Sequence, residues 1–120
     1  MSDCRATIAE LKQLIRDFVD RRDWRQFHSP KNLAMSLAIE AAELMEHFQW
    51  ISAEASRSVG ERPQRLAAVA DEMADVMCYL LALANELQVD LAAAVRQKMT
   101  KNEQKYPVEE YRGRYGPGDG

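Results

Sequence analysis

Cysteine is nearly missing from this 120-residue chain, with Cys4 and Cys78 its only two. Cys4 lies close to the N-terminus and Cys78 inside an apolar stretch. No disulfide framework is therefore expected, and a reducing compartment is. Cysteine and histidine never cluster at zinc-finger spacing, which argues against a soft-metal site. Long apolar runs are also lacking, since none approaches the roughly 20 residues that span a bilayer. The opening MSDCRATIAELKQ carries charge throughout and has no apolar leader core, so the expectation is a cytoplasmic protein without a membrane role. Excess positive charge is missing as well. The net charge is −3 and the sequence pI about 5.4, which speaks against binding a nucleic acid polymer, a local basic patch aside. Glycine-rich phosphate loops, a helix-turn-helix signature and a Ser/His/Asp grouping are not found. Period-two alternation is absent, so no strand is expected.

What remains is an ordinary soluble balance of 47% hydrophobic and 29% charged residues. The length suits one domain with a core of its own. Ala, Leu, Glu, Met and Arg dominate, and four main helices are expected. The first runs from about Arg5 to Asp23 with Ile8, Leu11, Ile15, Phe18 and Val19 as its stripe. A loop carries Trp24, Phe27 and His28. Ser29 and Pro30 open the second helix as N-cap and first residue. It runs to about Phe48, with Leu33, Leu37, Ala41, Leu44 and Phe48 on one side. A polar connection containing Gly60 spans about Ile51 to Arg62. Pro63 opens the third helix, which ends near Leu87 and is apolar nearly all round. Such a helix is central in its domain or sits at a subunit interface. Asp90 caps the fourth helix, which stops before Pro107, with Val95 and Met99 expected to point inward. The domain is placed at residues 1–110, and the Gly/Pro-rich 111–120 is expected to be a flexible tail.

Two acidic pairs stand out against this background. Glu40 and Glu43 form E-x-x-E, and Glu72 and Asp75 form E-x-x-D. From Met73 to Ala84 the only charge is Asp75. Residues three apart share a helix face, so each pair can aim two carboxylates at one point. Burying unpaired carboxylates is costly, so a positive group should sit between these helices. A hard divalent cation or basic side chains would serve. Acids at this spacing are also common on solvated faces, an account that fits Glu40 and Glu43 alone better than it fits Glu72 and Asp75. Both pairs together favour a site, and an oxygen-only ligand set suits Mg²⁺. Glu46 falls at a more outward angle, toward solvent or a supporting role.

Lys98, Asn102 and Lys105 fall on one face of the fourth helix, with Lys101 beside them. Lysine is a point-charge phosphate binder, although cations near a helix C-terminus also simply suit the macrodipole. Trp24, Phe27, His28, Trp50 and Tyr79 would suit a flat pocket for a nucleobase, or would serve as core and loop anchors.

Three stretches together resemble a known family. RDWRQFHSPKNLAMSLAIEAAELMEHFQW, DEMADVMCYLLALANELQVDLAAAV and KMTKNEQKYPVE are similar to the MazG-like all-α nucleoside triphosphate pyrophosphohydrolases. The likeness is to the short single-domain branch that includes dCTP pyrophosphatases, and it covers about Ile8 to Glu110. It implies a four-helix bundle-like fold completed by oligomerisation as a dimer or tetramer. It implies Mg²⁺ held by Glu40, Glu43, Glu72 and Asp75. It also implies a nucleotide pocket with Trp24, His28, Trp50 and Tyr79, and phosphate contacts from Lys98, Asn102 and Lys105. The family cleaves the bond between the α and β phosphates, giving a nucleoside monophosphate and pyrophosphate.

The expected function is therefore Mg²⁺-dependent hydrolysis of a pyrimidine deoxynucleoside triphosphate, with dCTP or a 5-modified dCTP favoured, in a house-cleaning role. A metal-activated water is the expected nucleophile. Two rivals fit parts of the same sequence. One is a non-catalytic helical oligomerisation or partner-binding module. The other is a carboxylate-bridged di-iron or di-manganese bundle, which typically uses Glu-x-x-His. Here Glu43 and Asp75 occupy the His places of that motif, and His47 follows Glu43 at i+4 instead.

Overall fold

The computed structural model describes residues 1–115, and all regular structure among them is helical. The end of the expected tail, 116–120, lies outside the described residues. The chain forms two compact segments that divide between Gln88 and Val89.

In the first segment, α1 spans Ile8–Arg21. It starts later than expected because Thr7 is extended and its hydroxyl accepts from the Glu10 N–H at 3.1 Å. Asp23 then adopts a left-handed φ of 51°. The Trp24 N–H folds back onto the Val19 carbonyl at 3.1 Å. One turn of 3-10 helix, Arg25–Phe27, follows. Helix α2 spans Pro30–Glu46, with the Ser29 hydroxyl accepting from the Asn32 N–H at 3.2 Å. The Asn32 side chain donates to the Phe27 carbonyl at 3.2 Å, which fixes the entry loop. The connection read as polar contains a short α3, Ala53–Ser56, and a 3-10 turn, Val59–Glu61. Val59 is buried, so this connection also anchors itself in the core. Helix α4 spans Pro63–Leu87, the range that the proline and the apolar run predict. It ends at Gln88 with a left-handed φ of 54°, in a cap position that usually favours glycine.

Helix α4 organises the segment by packing chiefly on α2 and next on α1. The buried core consists of Val19, Leu33, Val59, Val69, Leu81, Ala82 and Ala84, with Leu33 only 1% exposed. Two polar ties fix α4 at opposite ends. Near its C-terminus the Asn85 side chain donates to the Lys12 carbonyl at 3.0 Å and accepts from Arg16 Nη2 at 2.8 Å. Near its N-terminus Arg65 Nη2 donates to the His47 carbonyl at 2.9 Å.

The all-round apolar character of α4 has no matching all-round cover. Met73 is 57% exposed, and Met77, Leu80 and Leu87 are exposed as well. Two neighbouring helices cannot surround a third, so of the two places expected for such a helix the centre of its domain suits only the side that carries the buried Val69 and Leu81.

The second segment holds α5, Leu91–Lys105, and α6, Val108–Tyr111. The Asp90 carboxylate accepts from the Ala93 N–H at 2.9 Å, as its capping position predicts. Tyr106 and Tyr111 stack edge to face at 5.1 Å, and Tyr111, the first residue of the expected tail, is the last residue of α6. Val95 and Met99, expected to point inward, find no cover within this segment and are 59% and 52% exposed. Their own segment offers one four-residue helix, too little to cover a helix of fifteen. Among the described residues no helix is long and apolar enough to cross a membrane.

Candidate metal centre and adjoining cavity

Helices α2 and α4 pack together, and their acids meet at the seam. One carboxylate oxygen each from Glu40, Glu43 and Glu72 lies within 4.8 Å of the others. Glu40 and Glu72 are half-buried and Glu43 is exposed. Glu40 Oε2 and Glu72 Oε2 are both buried without a hydrogen-bond partner. Buried polar atoms are normally satisfied, so two orphaned carboxylate oxygens in one place call for a positive ligand.

The electrostatics carry the same signature. The Glu40 carboxyl is held above the ordinary carboxylate range, first by burial, then by hydrogen bonding to Glu43 and by its charge. The charges of Asp75 and Glu72 add to this. Glu72 is raised first by burial, then by the charges of Glu43 and Asp75 and a hydrogen bond with Glu43. One group acts the other way on Glu72. The His47 imidazole, with Nε2 3.9 Å from Glu72 Oε1, favours the charged form. Without a cation, like charges this close hold on to protons.

The structure does not bring all four acids into one group. Asp75 stands outside the 4.8 Å set. It lines a cavity of about 340 Å³ between α1, α4 and the loop after α1. Phe18, Trp24 and Tyr79 supply aromatic walls, Ile15 and Cys78 apolar ones, and His28 a polar one. Trp24 stacks edge to face on Phe18 at 5.7 Å. Burial, and next the charge of Asp75, push the Cys78 thiol up, so it stays protonated. A smaller cavity of about 170 Å³ shares Ile15, Val19, His28 and Ala82 and adds the polar Arg16, Asn85 and Glu86. Arg25 closes onto Glu86 at 3.4 Å there.

Three of the expected pocket residues, Trp24, His28 and Tyr79, thus share one cavity with Asp75. Trp50 does not join them. It follows the C-terminus of α2 and is 86% exposed. Glu46 is exposed. Lys98, Asn102 and Lys105 lie on α5 of the second segment. The Asn102 side chain donates toward the Met99 sulfur at 3.7 Å, and Lys105 Nζ lies 5.4 Å from the Tyr106 ring centre.

Sequence reasoning gave no role at the site to Ile15, Phe18, Cys78 or His47. Helical spacing held the signal for two of them. Cys78 follows Asp75 at i+3, and His47 follows Glu43 at i+4, each on the face of its acid. Ile15 and Phe18 read equally well as ordinary core.

An all-helical pair of acidic motifs facing each other across a seam, beside an aromatic cavity, defines the class. The MazG-like family model matches residues 35–115, and the chain belongs to that family. Among curated proteins it is similar to dCTP pyrophosphatase 1 of Rattus norvegicus, 43% identical over 107 residues, covering 89% of this chain and 63% of that protein. The Homo sapiens dCTP pyrophosphatase 1 is 42% identical over 102 residues, covering 85% of this chain and 60% of that one. The chain therefore spans less than two thirds of the length of these relatives. Among solved structures it is similar to a pyrophosphatase from Archaeoglobus fulgidus DSM 4304, with a TM-score of 0.79 and 44% identity. That match covers 89% of this chain and 98% of the other.

Proposed function

We propose that this protein is a Mg²⁺-dependent nucleoside triphosphate pyrophosphohydrolase acting on dCTP or a 5-modified dCTP. Support comes from the relatives' activity and from the cavity's aromatic walls, which suit a pyrimidine base. The observation that carries the chemistry is the convergence of Glu40, Glu43 and Glu72, two of which keep an orphaned buried oxygen, Glu40 Oε2 and Glu72 Oε2. Their donor set is all oxygen and anionic, which fits a hard divalent cation. Glu40, Glu43 and Glu72 would hold the metal, with Asp75 at the edge toward the cavity. Mg²⁺ bound there supplies charge neutralisation for the triphosphate and lowers the pKa of water.

The remaining work falls to the chain's own groups. Trp24 and Tyr79 flank the base, and His28 offers it a hydrogen bond. Glu43, the exposed member of the cluster, accepts the proton of the attacking water. The water oxygen bonds to phosphorus as the Pα–O–Pβ bridge breaks. The products are the nucleoside monophosphate and pyrophosphate. Lys98, Asn102 and Lys105 are proposed phosphate contacts, and Trp50 a further pocket residue. The exposed apolar side chains of α4 support a homo-oligomer, in which a second copy covers Met73, Met77 and Leu80. The compartment that suits this role is the cytoplasm.

The test is pyrophosphate release from a panel of canonical and 5-modified deoxynucleoside triphosphates, with and without Mg²⁺. Mg²⁺-dependent release favouring dCTP-type substrates is expected. Release from another base would keep the chemistry and overturn the specificity. No release from any triphosphate would favour a non-catalytic oligomerisation module.

A further inference from the structure

We propose that His47 is a positioning residue for the metal-holding carboxylates: it engages one oxygen of Glu72 and so keeps the other turned into the acidic cluster. This rests on the metal-binding role proposed above. The two oxygens of Glu72 have different surroundings. Oε1 lies 3.9 Å from His47 Nε2, whereas Oε2 is buried and unpartnered. Carboxylates that ligate metals are commonly hydrogen-bonded through a second partner, which fixes their orientation and tunes the site.

The backbone around His47 is built to hold the ring in place. Helix α2 ends at Glu46, and His47 is its C-cap. It follows Glu43 by one helical turn, so its side chain shares the face that meets α4. The His47 carbonyl accepts from Arg65 Nη2 at 2.9 Å. Arg65 precedes Glu72 by two turns on α4, so the helix that carries the ligand also anchors its positioning residue. A separation of 3.9 Å is an ion-pair distance. Closing it to a hydrogen bond of about 2.7–3.2 Å needs a movement of about 1 Å. A neutral imidazole protonated at Nε2 donates that bond, so no change of charge on His47 is required.

The test titrates Mg²⁺ alone into the full chain by calorimetry, comparing wild type with His47→Leu and His47→Gln. Leucine removes the donor and keeps bulk, while glutamine offers an amide N–H at a similar reach. His47→Leu should weaken Mg²⁺ binding by about 10- to 100-fold, and His47→Gln should recover most of it. Unchanged affinity in His47→Leu, or equal losses in both variants, would overturn the proposal. Wild type that binds no Mg²⁺ would overturn the metal site itself and this role with it. A check independent of variant folding is the ¹⁵N spectrum of the neutral wild-type imidazole. A proton on Nε2, with a signal that moves on Mg²⁺ addition, is expected. A proton on Nδ1 alone would defeat the role.

Discussion

The two acidic pairs share a spacing and differ in fate. On α2, both Glu40 and Glu43 reach the cluster. On α4, Glu72 reaches it, whereas Asp75 turns to the wall of the aromatic cavity. In each pair the first acid is half-buried and the second exposed. A step of three residues on a helix turns the side chain by about 60° short of a full circle. That is enough to turn the second acid toward the edge of the seam. Neighbouring groups then decide where it goes. Glu43 faces Glu40 and Glu72, and its charge helps to raise both. Asp75 has the cavity beside it. Spacing places acids on a face, and packing distributes the work between them.

Isosteric neutralisation should separate the acids most strongly. Glu40→Gln and Glu72→Gln should each lower turnover by more than about 100-fold, beyond the usual cost of losing a group that only orients a metal ligand. Circular dichroism should show the helical fold kept, and calorimetry should show Mg²⁺ binding lost. Normal turnover in both variants would sink the site. Asp75→Asn should also abolish turnover, yet retain more Mg²⁺ affinity than Glu72→Gln. Equal Mg²⁺ losses in the two α4 variants would show that Asp75 joins the metal set once the ion is bound.

Trp24→Ala probes the cavity that Asp75 lines. Stacking of a base on an aromatic ring is worth about 1–3 kcal/mol. KM should therefore rise by about 5- to 150-fold while kcat at saturation changes little. A fall in kcat with constant KM would move Trp24 out of the base pocket and into a loop-anchoring role.

Much of this molecule was legible in its sequence, for local reasons. Ser29-Pro30, Pro63 and Asp90 announce helix starts through short-range hydrogen bonds and fixed φ, and three helices begin where these residues place them. The acids were legible because charge in an apolar run is costly. Long-range choices were less so. Periodicity assigns Met73, Val95 and Met99 to an apolar face, but it cannot say what covers that face, and each is more than half exposed. Asp75 and Trp50 show the same limit. Their roles depend on which element packs opposite, and a linear pattern does not hold that information. Cys78 follows Asp75 at i+3, a spacing that signals a shared face, yet an apolar thiol in an apolar helix reads as core until the cavity is seen.

The smallest expected effect is on stability, and its sign follows from the half-buried members of the pairs. Glu40 and Glu72 are both raised above the ordinary value of 4.5 in the fold. A raised carboxylate binds its proton more tightly in the native state than in the unfolded chain. Stability is then fully present below the unfolded value and is lost as pH rises through the folded one. The metal-free protein should therefore lose melting temperature as pH climbs from about 4.5 toward neutrality. Glu40→Gln and Glu72→Gln should flatten that slope, since neither amide titrates, and Asp75→Asn should change it less. Added Mg²⁺ should raise the melting temperature of wild type at neutral pH, because the ion binds only the folded cluster. Wild-type stability that increases across this window, or a slope unchanged in Glu40→Gln and Glu72→Gln, would mean that the cluster's carboxylates are satisfied without a cation.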